Sequence, residues 1–142
     1  MSAAAKLLGQ LREGLASDQL AYGRLQGLLE RQFQAALAHR ADEISALAAA
    51  ILAQVAELEA QRQRRHDALV ALLGRSGTPS LRALLRRLPQ ASARPLAELW
   101  RTLQASLSTC KALNLRNCQL MTEQQALMQQ LLGRQEHVYA QP

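Results

Sequence analysis

Apolar residues recur at alternating steps of three and four over three long segments of the chain. In the first segment this stripe comprises Leu8, Leu11, Leu15, Asp18, Tyr22, Leu25, Leu29, Gln32 and Ala36. The spacing puts all of these side chains on one face of an α-helix, and its period of 3.5 residues is that of coiled coils. It therefore predicts a long amphipathic helix that packs against other helices.

The composition favours the same fold class. Leu, Ala and Gln together account for 72 of the 142 residues, and all three are compatible with helices. Aromatic residues make up 3% of the chain, and no segment has the alternating pattern of a strand. At this length the chain can bury one core without disulfides or structural metals. We therefore predict a single all-α domain over residues 1–142.

Breaks between the stripes divide the chain into four predicted helices. The predicted ranges are 4–39 for helix 1, 43–73 for helix 2, 80–88 for a short helix, 95–132 for helix 3 and 133–142 for a flexible tail. Asp42 is a suitable N-cap for helix 2, and Gly74 is suited to end it. The short break between helices 1 and 2 predicts a hairpin. The expected architecture is an elongated antiparallel bundle of three long helices, joined by one short helix and packed like a coiled coil.

Signals of catalysis or metal binding are missing from the sequence. His39, His66 and His137 fall on three separate segments, and none has a cysteine or carboxylate at the usual metal-ligand spacing. Cys110 and Cys118 lie eight residues apart on one predicted helix, about 12 Å along its axis, which is too far for a disulfide. We predict that the protein is not an enzyme and needs no cofactor.

The charge pattern leaves two alternative functions open. The formal net charge is +6, and the surplus arginines gather at Arg62–Arg65 and Arg82–Arg94. Such clusters fit a basic helical bundle that binds nucleic acid or an anionic surface, although a solvated face explains them more simply. The leucine stripes also fit a self-associating coiled-coil structural protein. No apolar run is long enough to cross a membrane and the N-terminal segment is interrupted by polar residues, so we expect a cytoplasmic protein.

The second half of helix 3 is the candidate functional surface. Its inner stripe changes from leucine to mixed residues, namely Leu107, Cys110, Asn114, Asn117, Met121, Gln124, Met128 and Leu131. Methionine adapts to irregular partners, and amide side chains can bond a partner helix. The predicted partner-binding residues are Leu113, Asn114, Asn117, Leu120, Met121, Gln124, Leu127 and Met128. The alternative is that Asn114 and Asn117 are buried in the bundle and set its register.

Two segments carry a resemblance to a known family. The segment LNLRNCQLM, at Leu113–Met121, resembles the N-x-x-N-G-x-L-I signature on the last long helix of the FlgN family of flagellar type III export chaperones. Leu28–Leu47 is similar to the first hairpin of that family. Cys118 stands where the family usually has glycine, and Met121 where it usually has an aliphatic residue.

The resemblance implies a cytoplasmic chaperone without ATPase activity. Such a chaperone binds the amphipathic C-terminal segments of hook–filament junction proteins, prevents their premature assembly and delivers them to the type III export apparatus. The expected partners are therefore these junction proteins and export apparatus components, without nucleic acid or membrane insertion. The free protein is expected to be a monomer or a homodimer. Tyr139, in the predicted tail, is a candidate for docking at the export gate.

Overall fold

Four helices make up the part of the chain that the structure, a computed structural model, describes. This part comprises residues 2–74 and 77–140, with side chains described up to residue 134. The helices are α1 (Ala3–Leu37), α2 (Ala41–Leu73), α3 (Leu81–Arg87) and α4 (Gln90–Ala140). No strand occurs in these two ranges. The predicted all-α bundle of three long helices and one short helix is confirmed.

Helix α1 is the centre of the bundle. It packs against both α2 and α4. The short turn after α1 sends α2 back along it in the antiparallel direction. Helix α4 runs parallel to α1, because Gln19 near the middle of α1 bonds Ser106, while Ala36 near its end bonds Gln124. The three long helices therefore run up, down and up, with α1 between the other two.

The larger of two buried clusters lies at one end of the bundle, where the first half of α1 meets the end of α2, α3 and the start of α4. We call this end the base. Its buried members are Leu11, Leu15, Leu69, Leu73, Leu81, Leu84, Leu96 and Leu103. Burying one leucine contributes roughly 1.5–3 kcal/mol, so this all-leucine cluster is the main stabilising feature of the base. A smaller cluster of Leu25, Leu29 and Cys110 lies farther along α1.

The turn between α1 and α2 is closed by backbone hydrogen bonds. His39 adopts a left-handed conformation with φ of 56°. Its N–H donates to the carbonyl of Ala36 at 3.1 Å, and the N–H of Arg40 donates to that of Ala35 at 2.9 Å. These bonds satisfy the last carbonyls of α1 and fix the reversal of the chain.

Helix α2 begins without a side-chain cap and is followed by a glycine. It begins at Ala41, with Arg40 as an N-cap whose side chain makes no capping hydrogen bond. Asp42 therefore lies in the first turn, where a carboxylate favours the positive helix terminus, and is not the cap that the sequence predicts. Gly74 follows the helix with φ of 72°, a conformation that glycine adopts without strain.

Helix α4 is longer at both ends than the range predicted for it. It begins at Gln90, because the carbonyl of Pro89 accepts hydrogen bonds from the two N–H groups at positions 92 and 93. Pro95 therefore lies inside the helix, near its start, where a missing N–H costs little. The helix also continues through Gly133 to Ala140, where the sequence predicted a tail. Glycine weakens a helix, but Gly133 does not adopt the positive φ that would end one.

Candidate partner-binding groove

Three polar side chains of α4 hold its second half to α1, and we call this set of contacts the heptad ladder. Each side chain donates a hydrogen bond to a backbone carbonyl of α1, and both the donors and the acceptors are spaced by seven residues. The contacts join Cys110 to Tyr22 at 3.6 Å, Asn117 to Leu29 at 2.7 Å and Gln124 to Ala36 at 2.9 Å. Burial raises the pKa of the Cys110 thiol, so the thiol keeps the proton that it donates.

The heptad ladder defines the register between the two parallel helices. A slip of α4 by a single residue would move all three donors away from their carbonyls, since each faces one acceptor. Leu96 and Leu103 occupy the same heptad position nearer the base and are buried against apolar neighbours. The ladder is therefore the polar continuation of an apolar seam, and such polar residues specify register.

Asn117 is the central member of the ladder and is completely buried, with 0% of its surface exposed. Its Nδ2 donates to the carbonyl of Leu29 at 2.7 Å and to Oε1 of Gln32 at 3.1 Å. Its Oδ1 accepts two hydrogen bonds from Arg116, at 3.2 and 3.3 Å. The amide therefore has partners for both its nitrogen and its oxygen within the chain. Asn117 therefore faces α1, as in the alternative in which it is buried in the bundle, whereas Asn114 is exposed at the surface of α4.

Arg116 covers the buried amide from the solvent side. Its guanidinium lies 3.7 Å from the centre of the Phe33 ring and pairs with Glu30 at 3.3 Å. The ring face attracts the cation, and the carboxylate holds its far side. Arg116, Phe33 and Glu30 thus close the polar site around Asn117.

The other seven predicted partner-binding residues fall into three groups. Leu113 packs beside the smaller buried cluster. Leu120, Met121 and Gln124 are half-buried. Asn114, Leu127 and Met128 are exposed. The eight predicted residues therefore do not form one open surface, because the centre of their helix face is covered by α1.

A groove runs along α1 between α2 and α4. Within the described residues the backbones of α2 and α4 each pack on α1 and not on one another, which leaves an open cavity of about 580 Å³ between them. Its lining residues are Asp18, Tyr22, Leu25, Leu29, Ile51, Leu52, Val55, Leu58, Glu59, Arg62, Arg65, Trp100, Leu107, Cys110, Lys111 and Asn114. In a four-helix bundle this position is filled by the fourth helix.

The α2 wall of the groove is largely aliphatic and partly exposed. Ile51, Val55 and Leu58 follow the three-four spacing of a packing stripe, with Leu52 beside them. Leu52 is 70% exposed and Val55 is 45% exposed. Leu25 lies beside them and is buried at the bottom of the groove. Exposed aliphatic side chains next to a buried apolar residue are typical of a surface that a partner covers.

The end of the groove nearest the base is closed by a buried ion pair. Arg65 donates to Asp18 at 2.7 Å, and the guanidinium also lies 5.4 Å from the centre of the Trp100 ring. Burial raises the pKa of the Asp18 carboxyl, and the positive charge of Arg65 partly opposes this rise. The groove is therefore polar at this end and apolar along its length.

The rim of the groove carries charges on both walls. Glu59 and Arg62 of α2 form an exposed ion pair at 2.7 Å. Lys111 and Asn114 line the facing wall of α4 and are exposed. An apolar trough with polar rims fits an amphipathic helix, whose apolar stripe enters the trough while its polar flanks meet the rims.

Beyond the last contact of the heptad ladder, α4 continues past the end of α1. Four large apolar side chains of this distal segment are exposed by half or more, namely Leu127, Met128, Leu131 and Leu132. The side chain of Tyr139 lies outside the described residues. The distal segment is thus a second apolar surface, continuous with α4.

The α2 wall is the part of the site that the sequence prediction missed. Its aliphatic stripe had the pattern of core residues, and the structure turns part of that stripe toward the groove. The available signal was Arg62 and Arg65, which interrupt the stripe at helical spacing. Arg62 is exposed, so the face reaches solvent there. Arg65 instead turns inward to pair with the buried Asp18.

The fold and the groove together define a helical module with an open, largely apolar groove between α2 and α4. The chain matches the family model described as FlgN protein over residues 1–133 and therefore belongs to the FlgN family of flagellar export chaperones. This is a chaperone family that is not known as enzymatic. No curated protein and no solved structure matches the chain. None of the helices among the described residues has the long apolar stretch that crossing a bilayer requires.

Proposed function

We propose that this chaperone acts in the cytoplasm and binds the amphipathic C-terminal segments of flagellar hook–filament junction proteins in the groove between α2 and α4. It thereby prevents their premature assembly and delivers them to the type III export apparatus. The observation that carries the proposal is the open cavity of about 580 Å³ over α1, lined by apolar side chains of three helices. A partner helix in this cavity completes a four-helix bundle.

The dimensions of the groove suit a short helix. Its α4 wall runs from Trp100 to Asn114, a span of about 21 Å at 1.5 Å per residue, or about four helical turns. A bound helix of that length covers the exposed Leu52 and Val55. The apolar stripe with which a junction protein would assemble is buried in the same step, which is how binding and protection from assembly are coupled.

Part of the surface predicted on α4 remains in this proposal. Leu107, Asn114, Met121 and Met128 are seven residues apart, so they share one flank of α4. The first two line the groove. A partner helix longer than the groove would continue onto the two methionines and the neighbouring Leu127. Leu113, Asn117, Leu120 and Gln124 are instead assigned to the packing of α4.

Delivery requires a contact with the export apparatus, for which Tyr139 remains the proposed residue. Replacing Tyr139 with alanine should leave binding of the junction-protein segment unchanged and reduce its export. Secretion of a junction protein into culture medium measures the second effect. The free chaperone is proposed to be a monomer or a homodimer, and multi-angle light scattering measures its mass.

The groove is tested with charged substitutions and a control that adds the same charge outside the groove. The variant Leu52→Glu/Val55→Glu places two carboxylates in the apolar wall. The control Leu20→Glu/Val70→Glu changes two exposed aliphatic residues, one on α1 and one on α2, that do not line the groove. Binding of a synthetic C-terminal segment of a junction protein is followed by isothermal titration calorimetry.

The groove variant should bind the segment much more weakly than the control variant does. Burying two carboxylates without partners costs several kcal/mol, so the groove variant should bind about 100-fold more weakly or not measurably. The control should stay within about threefold of wild type, since surface changes have small effects. Circular dichroism checks that both variants stay helical. Equal affinities for wild type and the groove variant would refute the groove as the binding site.

A further inference from the structure

The positive charge of the chain is concentrated at the base. Between Leu81 and Arg101 there are five arginines and one glutamate, so this segment carries a net charge of +4 of the +6 for the whole chain. All five arginine side chains are exposed. The groove and the heptad ladder do not use them.

Most of these arginines have no partner within the chain. The five ion pairs found over the described residues all lie outside Leu81–Arg101. Arg87 is engaged, because it donates to the carbonyl of Leu73 at the end of α2. Arg82, Arg86, Arg94 and Arg101 make no ion pair, and we call these four residues the arginine face.

The arginine face lies on the outer sides of two neighbouring helices. Helix α3 packs against α4 and buries Leu81 and Leu84, so its exposed Arg82 and Arg86, one turn apart, project away from the core. Arg94 and Arg101 each precede by two residues a buried leucine of the base. A step of two residues is about 200° around a helix, so these two arginines point away from the core as well.

We propose that the arginine face docks an acidic segment of a second protein partner. Guanidinium groups form bidentate bonds with carboxylates, and four unpaired groups on two adjacent helices offer several such bonds at once. The surrounding surface has no exposed large hydrophobic side chain between Gly77 and Arg101, all of them described residues.

The chemistry of the face favours a protein over a membrane or a single-stranded nucleic acid. Surfaces that bind lipid interfaces combine basic residues with exposed Trp, Phe or Leu, which this face lacks. Single-stranded nucleic acid is held by stacking on exposed aromatic rings. Trp100, the one aromatic residue of the segment, is half-buried and covered by Arg65.

The arginine face and the groove are separate surfaces. On α4 the groove begins at Trp100 and runs away from α3, toward Asn114. An acidic partner at the base would therefore leave the groove free. The two sites together allow the protein to hold two partners at once, whatever the groove binds.

The test compares two variants that lose the same charge. One is Arg82→Gln/Arg86→Gln/Arg94→Gln/Arg101→Gln, and the other neutralises four exposed arginines elsewhere, Arg31, Arg40, Arg64 and Arg134, also to glutamine. The probe is a fluorescein-labelled polyglutamate peptide, titrated by fluorescence anisotropy at low salt. Vesicles of phosphatidylglycerol and phosphatidylcholine, and a DNA duplex, are titrated in parallel. Thermal unfolding by circular dichroism confirms that both variants are folded.

The arginine-face variant should bind the peptide at least about tenfold more weakly than wild type, since four exposed pairs are lost together. The second variant should stay within about threefold, although its net charge is the same. Equal loss in both variants would show that only net charge matters and would overturn the proposal. Tighter binding of wild type to the vesicles or the duplex than to the peptide would overturn the choice of an acidic protein.

Discussion

The two halves of the seam between α1 and α4 share one geometry and differ in chemistry. Near the base the heptad positions of α4 are Leu96 and Leu103, buried in a cluster of leucines. Farther along, the same positions are Asn117 and Gln124, which bond backbone carbonyls of α1. The base half is held by apolar burial and the distal half by directed hydrogen bonds.

This difference assigns separate tasks to the two halves. A buried leucine contributes roughly 1.5–3 kcal/mol, whereas an intramolecular hydrogen bond contributes a net of about 1 kcal/mol. Apolar contacts are not directional, so the base tolerates small shifts. A shift of α4 along α1 breaks these hydrogen bonds. The distal half therefore fixes the register of the two helices and contributes less to stability than the base half does. The less stable half is also the one from which α4 continues past the groove into the exposed distal segment.

The largest effect is expected from Leu15→Ala in the base. Leu15 is 1% exposed, and removing its side chain leaves a cavity among leucines, so the free energy of unfolding should fall by about 4 kcal/mol. Urea denaturation followed by circular dichroism measures the change. Leu20→Ala, on the same helix but 69% exposed, is the control and should change it by less than about 0.5 kcal/mol. Similar losses in both would contradict a base-centred core.

A slightly smaller effect is expected at the boundary between the two halves, where Arg65 faces Asp18. The substitution Arg65→Gln leaves a buried carboxylate without its cation and should lower stability by about 3 kcal/mol at pH 7. It also removes the guanidinium from the face of Trp100. Tryptophan fluorescence during urea denaturation reports both the stability and the changed environment of the ring.

The pH dependence of this variant follows from the direction of the shift at Asp18. Burial raises the pKa of that carboxyl in the folded state, so its contribution to stability is fully present below its unfolded pKa and is lost as pH rises through the folded pKa. Without Arg65 the folded pKa should rise further. The deficit of Arg65→Gln relative to wild type should therefore be largest near neutral pH and shrink on acidification. A deficit that grows toward low pH would contradict the stabilisation of the ionised Asp18 carboxylate by Arg65.

Much of the fold follows from residue spacing, because a period of 3.5 is a local property. The stripe of α1 runs through Leu11, Leu15, Leu25 and Leu29, which are all buried as the spacing predicts. The ends of α4 were less predictable. Pro95 is compatible with both the first turn and a position slightly inside a helix, so the sequence does not decide where the helix starts.

The site was harder to predict than the fold because it depends on how helices are arranged around α1. The stripe of α4 was recognised as unusual, but periodicity does not say whether Asn114 or Asn117 lies at the centre of the covered face. The structure buries Asn117 and leaves Asn114 at the groove. The wall formed by Leu52 and Val55 exists only because α2 and α4 lie apart on α1, which no local pattern encodes.

Substitutions at Asn117, the central contact of the heptad ladder, should show that stability and register can be changed separately. Asn117→Ala removes bonds to Leu29 and Gln32 and leaves a buried amide oxygen of Gln32 without its donor, so it should cost about 2 kcal/mol. Asn117→Leu should cost less, because an apolar side chain fills the site, but it should loosen the register. Urea denaturation measures the first effect.

Register in the Asn117→Leu variant is measured by double electron–electron resonance between spin labels on α1 and α4. A single narrow distance distribution is expected for wild type and a broadened one for the variant. Positions 26 and 119 are exposed and suit the labels once the exposed Cys118 is replaced by serine, while the buried Cys110 is kept because it belongs to the ladder. An unchanged narrow distribution would show that register is fixed by something other than the ladder.

The smallest effect on stability is expected at Gln124, the last contact of the heptad ladder, which donates to the carbonyl of Ala36 near the end of α1. Gln124→Ala should lower global stability by only about 1 kcal/mol, because a single half-buried bond is lost. The loss should be local, since no ladder contact follows this one. Hydrogen exchange should accelerate in α4 after Asn117 and remain unchanged at the base.

The neighbouring Gln125→Ala, which removes an exposed side chain of the same size, should leave both regions as they are. Faster exchange throughout α4 in the Gln124 variant would mean that the two halves of the seam open together, and the distinction between them would not hold.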